Sequence, residues 1–217
     1  MDRYKKAKSL PDTIDEIKKT FSSVYLTLIS IIQASLLGYF LFTFGGYFSD
    51  FTVVQWIVTF TTFLMIVTTW NEYMMGSMVF SWIPRLRDSL LPFSIGITEL
   101  FVIRFITDEI YKWYIAITAF CFVGLLAFKN MYDNARRYPE NNNPVLNSLD
   151  NWPKITLWWV FGLVLTFGLF SIISIFLDCE ITQYVLSSLS ALLFASFLFI
   201  GRVKYWHRIV GPYIGPK

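Results

Sequence analysis

Two carboxylates stand where a carboxylate is expensive. Glu72 and Glu99 each interrupt an apolar run long enough to cross a bilayer, and ionisable side chains in hydrocarbon are costly enough to be functional candidates by default. There a carboxylate takes a proton, holds a cation or pairs with an arginine. Glu99 lies about half-way through the third apolar run and Glu72 in the later half of the second, with Asn71, Tyr73, Ser94 and Thr98 nearby in sequence. A short turn joins these two runs, so they read as neighbours. The six residues are expected to form one polar intramembrane cluster, suited to cation binding, proton coupling or a conformational latch. The plainer reading puts Glu72 at the membrane interface near Arg85 or Arg87, and Glu99 hydrogen-bonded inside the bundle.

A second charged pair is read at the opposite membrane face. Arg104 and Asp108 stand at i, i+4, the spacing of a helical ion pair, although snorkelling of Arg104 to headgroups explains it equally well. Met74 and Met78 have a spacing that resembles the MxxxM of high-affinity copper transporters over five residues. Neither a three-span architecture nor a Met-rich N-terminus goes with it, so these methionines read as adaptable packing.

Catalytic chemistry finds little to work with. GxSxG, HExxH and P-loop patterns are missing. The single histidine, His207, lies near the C-terminus, which disfavours a Ser–His dyad, haem ligation and a His-based metal site. Asp50, Asp88, Asp108 and Asp178 all fall at turns, so no aspartyl dyad forms in the membrane. No catalytic residue, metal or cofactor is expected, and the chain reads as non-enzymatic. Cys121 and Cys179 differ in depth by more than a disulfide spans and read as unpaired.

The elements that must position these residues are apolar helices. A hydrophobic share of 55% exceeds that of an ordinary soluble domain. Apolar runs lie near 24–44, 53–80, 89–106, 110–128, 154–177 and 181–201, and about 20 residues cross the ~30 Å hydrocarbon layer. The expected fold is an all-α integral membrane protein of six transmembrane helices, one polytopic domain over 1–217. With a cytoplasmic N-terminus, every Lys and Arg except Arg104 and Lys112 falls on the cytoplasmic side. That bias is the positive-inside signature, and it predicts both termini inside. The same bias explains the net charge of +3 without nucleic acid as a partner.

Residues 10–21 read as a short interfacial amphipathic helix within a basic lead-in, 1–22, that stays attached to the first span. Gly76 and Ser77 are candidates for a bend late in the second span, and Pro92 fits a first helical turn. The third and fourth spans, 89–128, have a re-entrant pair as their alternative. Asn141-Asn142-Asn143-Pro144 marks 129–154 as the main cytoplasmic loop. Most tryptophans fall near span ends, where rings anchor to headgroups. In the sixth span Ser187, Ala191 and Ala195 form a ridge of small residues for close helix contact, within the subunit or between subunits.

The resulting expectation is a homo-oligomeric ion-conducting or membrane-state-sensing assembly of a bacterial inner membrane, working with a cytoplasmic protein partner. The alternatives are a small secondary transporter with a cavity near Glu99 and helices broken at Gly96 or Gly76, and an intramembrane lipid-modifying enzyme with Glu72 beside Arg85 or Arg87.

Overall fold

The computed structural model describes residues 10–83, 85–149, 151–176 and 181–214, all of them in helices or the short connections between helices. Among the described residues the α-helices are α1 (Leu10–Tyr47), α2 (Val53–Val79), α3 (Leu86–Arg104), α4 (Ile110–Arg137), α5 (Pro139–Leu149), α6 (Trp152–Phe176) and α7 (Ile181–Ile214). All except α5 contain a stretch long and apolar enough to cross a membrane. The chain therefore has the architecture of a multi-pass integral membrane protein, in which six helices that each cross put Leu10 and Ile214 on one face. That face, which also carries α5 and the α2–α3 connection, is called the terminal face below.

Local chemistry sets the helix ends. Thr52 opens α2 with a reciprocal cap of the capping-box kind. Its hydroxyl accepts the Gln55 N–H at 3.3 Å, and the Gln55 side-chain oxygen accepts the Thr52 N–H at 2.9 Å. Asp88 does similar work in α3, accepting the Arg85 N–H at 2.8 Å. Because α3 starts at Leu86, Pro92 lies beyond the first turn, inside the helix, and is buried there. The third candidate span, Leu86–Thr107, and the fourth, Ile110–Arg137, are each long and apolar enough for a full crossing, so two long helices stand where a re-entrant pair was the alternative.

Two expectations about elements change. The lead-in is not a separate helix: from Leu10 the chain runs unbroken through the first span to Tyr47. The second span stays helical through Gly76 and Ser77, since α2 continues to Val79. There the missing side chain admits α4, because a Cβ on Gly76 would stand 2.5 Å from Met131 Sδ. Finally, 129–154 is mostly helical. Asn142 is fully buried; its Nδ2 donates to the carbonyls of Ser81 at 2.8 Å and Ala135 at 3.0 Å, and its Oδ1 accepts the Ser81 N–H at 2.9 Å. The asparagine run that looked like a turn thus ties α5 to the α2–α3 connection.

Two hydrophobic cores follow. The larger one surrounds α4, whose Trp113, Tyr114 and Ile117 are fully buried, with α3, α6 and α7 around it. The smaller one seals the terminal face with Phe80, Trp82, Tyr132, Leu149, Tyr205 and Trp206. Consequently Trp82, Trp113 and Trp206 are buried structural rings, while Trp158 and Trp159 keep the exposure expected of anchors. The α4 helix packs chiefly on α6 and α3, α2 on α7 and α1, and α1 on α3; α2 and α3 touch little despite their short connection. Phe42, Phe176 and Leu193 face outward, as side chains turned to lipid must. In α7, Ala191 and Ala195 are buried within the subunit, so the small-residue ridge serves internal packing at those two positions. The Ser187 side chain and Cys179 lie outside the described residues.

Candidate functional site

Glu72 and Glu99 acquire different partners. From α2, Glu72 Oε1 meets Arg202 Nε of α7 at 3.1 Å and accepts the indole N–H of Trp206 at 3.1 Å. Both members of the ion pair are buried, 4% exposed for Glu72 and 5% for Arg202. The guanidinium lies over the ring of Phe128 at 5.0 Å and near that of Tyr205 at 5.4 Å, and Tyr132 also borders it. Such stacking suits the planar, weakly hydrated head of arginine. Arg85 and Arg87, the cations first considered for Glu72, are exposed.

Glu99 is sealed elsewhere. Its Oε2 accepts the side-chain N–H of Gln33 from α1 at 2.8 Å, and it is 2% exposed. Its Oε1 and the Gln33 oxygen have no hydrogen-bond partner. Close contact of α1 with α3 permits this pairing: at Gly96, one turn before Glu99, a Cβ would lie 2.7 Å from Ile32 Cγ2. Tyr73 lies within electrostatic range of Glu99, and its ring meets that of Tyr25 edge-on at 6.1 Å. Ser94 and Thr98 do not join either carboxylate. Their hydroxyls donate to carbonyls of their own helix, Leu90 at 3.0 Å and Ile95 at 2.8 Å, the usual outlet for a hydroxyl inside a helix. Asn71 is half-buried and makes no hydrogen bond among those described.

A third polar group was hidden in a turn. Asp88, 1% exposed, accepts hydrogen bonds from Asn130 and Asn134 of α4, and Arg87 donates to Asn134 Oδ1 at 3.2 Å. This network holds the start of α3 against α4.

Between these groups lies a cavity of about 100 Å³, lined by α1, α2, α3, α4, α6, α7 and the α2–α3 connection. Along α2 it reaches from Met65 to Ser77, more than three turns of helix. Glu72, Tyr73, Asn130 and Trp82 contribute to its polar lining; Glu99 does not line it. Trp82 covers its terminal end, edge-on to Tyr25 at 6.2 Å and Phe21 at 6.0 Å. Phe128 both lines the cavity and stacks on Arg202, so the ion pair stands directly behind the wall.

At the opposite face the expected Arg104–Asp108 pair is replaced. Asp108 takes Lys112 at 2.9 Å, while Arg104 is exposed beside a hollow of about 360 Å³ that also reaches Asp50, Gln55 and Asp108. The Lys112 ammonium, hydrogen-bonded to Asp108, holds that carboxyl below its usual range. Screening by water leaves such a pair little energetic weight.

Sequence reasoning thus found Glu72 and Glu99 but missed Arg202, Gln33 and Asn130. Arg202 looked like one more topogenic charge beyond the sixth span. Gln33 had a legible signal, as a lone amide between Ile32 and Ala34 in an apolar run. Comparison with protein-family models, with curated proteins and with solved structures yields no significant match.

Proposed function

We propose that this protein is a non-enzymatic component of a bacterial inner membrane, with both termini cytoplasmic, that conducts an ion or senses the state of the bilayer, and that the Glu72–Arg202 pair is its latch. The observation that carries this reading is a desolvated ion pair joining α2 to α7 beside a central cavity. A buried pair is a poor stabiliser compared with apolar packing, but it is strongly selective for one geometry, because separating the partners leaves charge unpaired in a low dielectric. It therefore makes α2 and α7 discriminate between two positions. The lipid-facing side of α7, with Leu186, Leu193 and Phe197, offers the surface on which bilayer thickness or tension acts. Glu99 serves here as a fixed strut to α1, and the gating role falls on Glu72. In the same reading the protein is a homo-oligomer, and exposed residues of α5 such as Asn143 and Ser148 meet a cytoplasmic partner.

A second reading, a small secondary transporter, is favoured by the cavity-lining carboxylate, Glu72. Its expected helix breaks at Gly76 and Gly96 do not accompany it, since α2 and α3 are continuous.

Proteoliposomes test the proposal. Wild type is expected to pass monovalent cations only under tension or in thin bilayers, and Arg202→Met to pass them without stimulus. Flux that saturates with one solute supports the transporter instead. If neither protein conducts, and a spin-label pair on α2 and α7 keeps its separation across bilayers of different thickness, the latch is wrong.

A further inference from the structure

Glu99 and Gln33 each keep one oxygen without a partner, and both oxygens belong to the same contact. Gln33 Nε2 donates to Glu99 Oε2 at 2.8 Å, while Glu99 Oε1 and Gln33 Oε1 are buried with no hydrogen-bond partner. The two side chains are 2% and 6% exposed, and Glu99 does not line the central cavity. One turn earlier the helices nearly touch, since a Cβ on Gly96 would stand 2.7 Å from Ile32 Cγ2. Buried polar groups are nearly always partnered in native proteins, so two bare oxygens on one contact call for an explanation.

An ionised carboxylate only accepts, and so does an amide oxygen, so neither satisfies the other. No cation answers the charge. Among the described residues, ion pairs join Lys112 to Asp108 and Glu109, and Arg202 to Glu72, and none includes Glu99. On α1, Thr20–Tyr47 holds no Asp, Glu, Lys or Arg. From α2 the titratable neighbour is Tyr73, whose phenol is uncharged in its ordinary form. On α3 itself Asp88 and Arg104 stand near the two ends. On α4, Lys129, Asp133, Arg136 and Arg137 fall in the last third of the helix. An ionised Glu99 is therefore an uncompensated charge in a low dielectric. A single proton removes both difficulties. Carried on Glu99 Oε1, it makes that oxygen a donor to Gln33 Oε1, and acid and amide then exchange two hydrogen bonds. A metal cation fits less well. Ca²⁺ and Mg²⁺ take about six or more oxygens, and no three His, Cys, Asp or Glu side chains stand together among the described residues.

We infer that Glu99 is a proton-binding site whose proton, donated to Gln33, closes an acid–amide clasp between α3 and α1 within the apolar bundle. The two buried glutamates are then neutralised differently, Glu72 by an arginine and Glu99 by a proton. The clasp deepens the strut role given to Glu99 above; its proton is read by spectroscopy and the latch by flux, so either can fail alone. The test is infrared difference spectroscopy of the full chain in proteoliposomes at neutral pH, wild type minus Glu99→Gln. The carbonyl band of a protonated carboxyl is expected in wild type and lost in the variant. In Gln33→Met that band should remain and move to higher frequency, because the acid has lost its amide partner. Thermal unfolding gives a second readout. Glu99→Gln should unfold as wild type does, since a carboxamide offers Gln33 the same donor and acceptor. Glu99→Met strands the Gln33 amide and should unfold at a lower temperature. Loss of carboxylate stretches in place of the acid band overturns the proton; if those stretches also move when Na⁺ is replaced by N-methylglucamine, a metal cation holds the site instead. A Glu99→Gln protein that fails to fold, or is as unstable as Glu99→Met, overturns the clasp.

Discussion

At the scale of single residues, the decisive partner was the one least visible in the sequence. Arg202 lies among Lys204 and Arg208, where the positive-inside bias accounts for every cation without distinguishing one. Nothing in spacing predicts that it turns inward to Glu72, five helices earlier in the chain; only helix neighbours settle that. The pair makes a specific thermodynamic prediction. Arg202→Met leaves the Glu72 carboxyl buried with Trp206 alone, a loss of about 3–5 kcal/mol for a broken buried pair. Glu72→Gln strands the arginine in the same way. The double variant should lose less than the sum of the two, because it removes both charges. Unfolding of the purified protein in mixed micelles measures the cycle, and strictly additive losses would deny the pair its coupling. Against this, Asp108→Asn at the opposite face is expected to leave the same unfolding transition in place, since its partner Lys112 is within reach of water and the pair is screened.

At the scale of elements, close approach and helix ends were the hard parts to read. The apolar runs predicted helices, and helices formed, because runs of that length in lipid satisfy their backbone within the segment. Their partners were not legible: a short connection made α2 and α3 look adjacent, yet α1 and α7 cover α2 while α4 and α1 cover α3. The glycines carry that information only once the fold is known. Gly96 is expected to resist substitution. Gly96→Ala drives a Cβ to 2.7 Å from Ile32 Cγ2. Overpacking of that kind should cost about 1–3 kcal/mol. Ile32→Ala in the same chain should recover part of that loss. Gly38→Ala and Gly162→Ala meet no atom within 4 Å and should be neutral or mildly stabilising through helix propensity. Equal effects at all three sites would contradict the packing of α1 on α3. For α5 the sequence misled for a physical reason. Asparagine favours turns because its side chain bonds nearby backbone, and Asn142 does bond backbone, but that of Ser81 as well as Ala135. Asn142→Ala should therefore loosen α5 and speed tryptic cleavage at Arg136 and Arg137, whereas exposed Asn143→Ala should leave it unchanged.

At the scale of the whole molecule, hydropathy and charge answer different questions. Hydropathy gave six crossings, and the structure has six helices able to make them. Charge decides which face is which, because a translocated basic loop must be carried across against the membrane potential. The terminal face bears Arg85, Arg87, Arg136 and Arg137, while Asp50, Glu109 and the Lys112–Asp108 pair mark the other. An even number of crossings ties the N- and C-terminal assignments together, so one labelled position on each face tests both. In a cysteine-free background, Ser148→Cys on α5 and Ser49→Cys in the turn after α1 are both exposed positions. A membrane-impermeant maleimide added to right-side-out vesicles should label residue 49 and spare residue 148, and inverted vesicles should reverse the pattern. The opposite result would put the basic face outside, turn Glu72 and the Trp82 end of the cavity toward that side, and remove the cytoplasmic partner from the proposal. Labelling of both positions in sealed vesicles of one orientation would break the even crossing number itself, and the six-span architecture would fall with it.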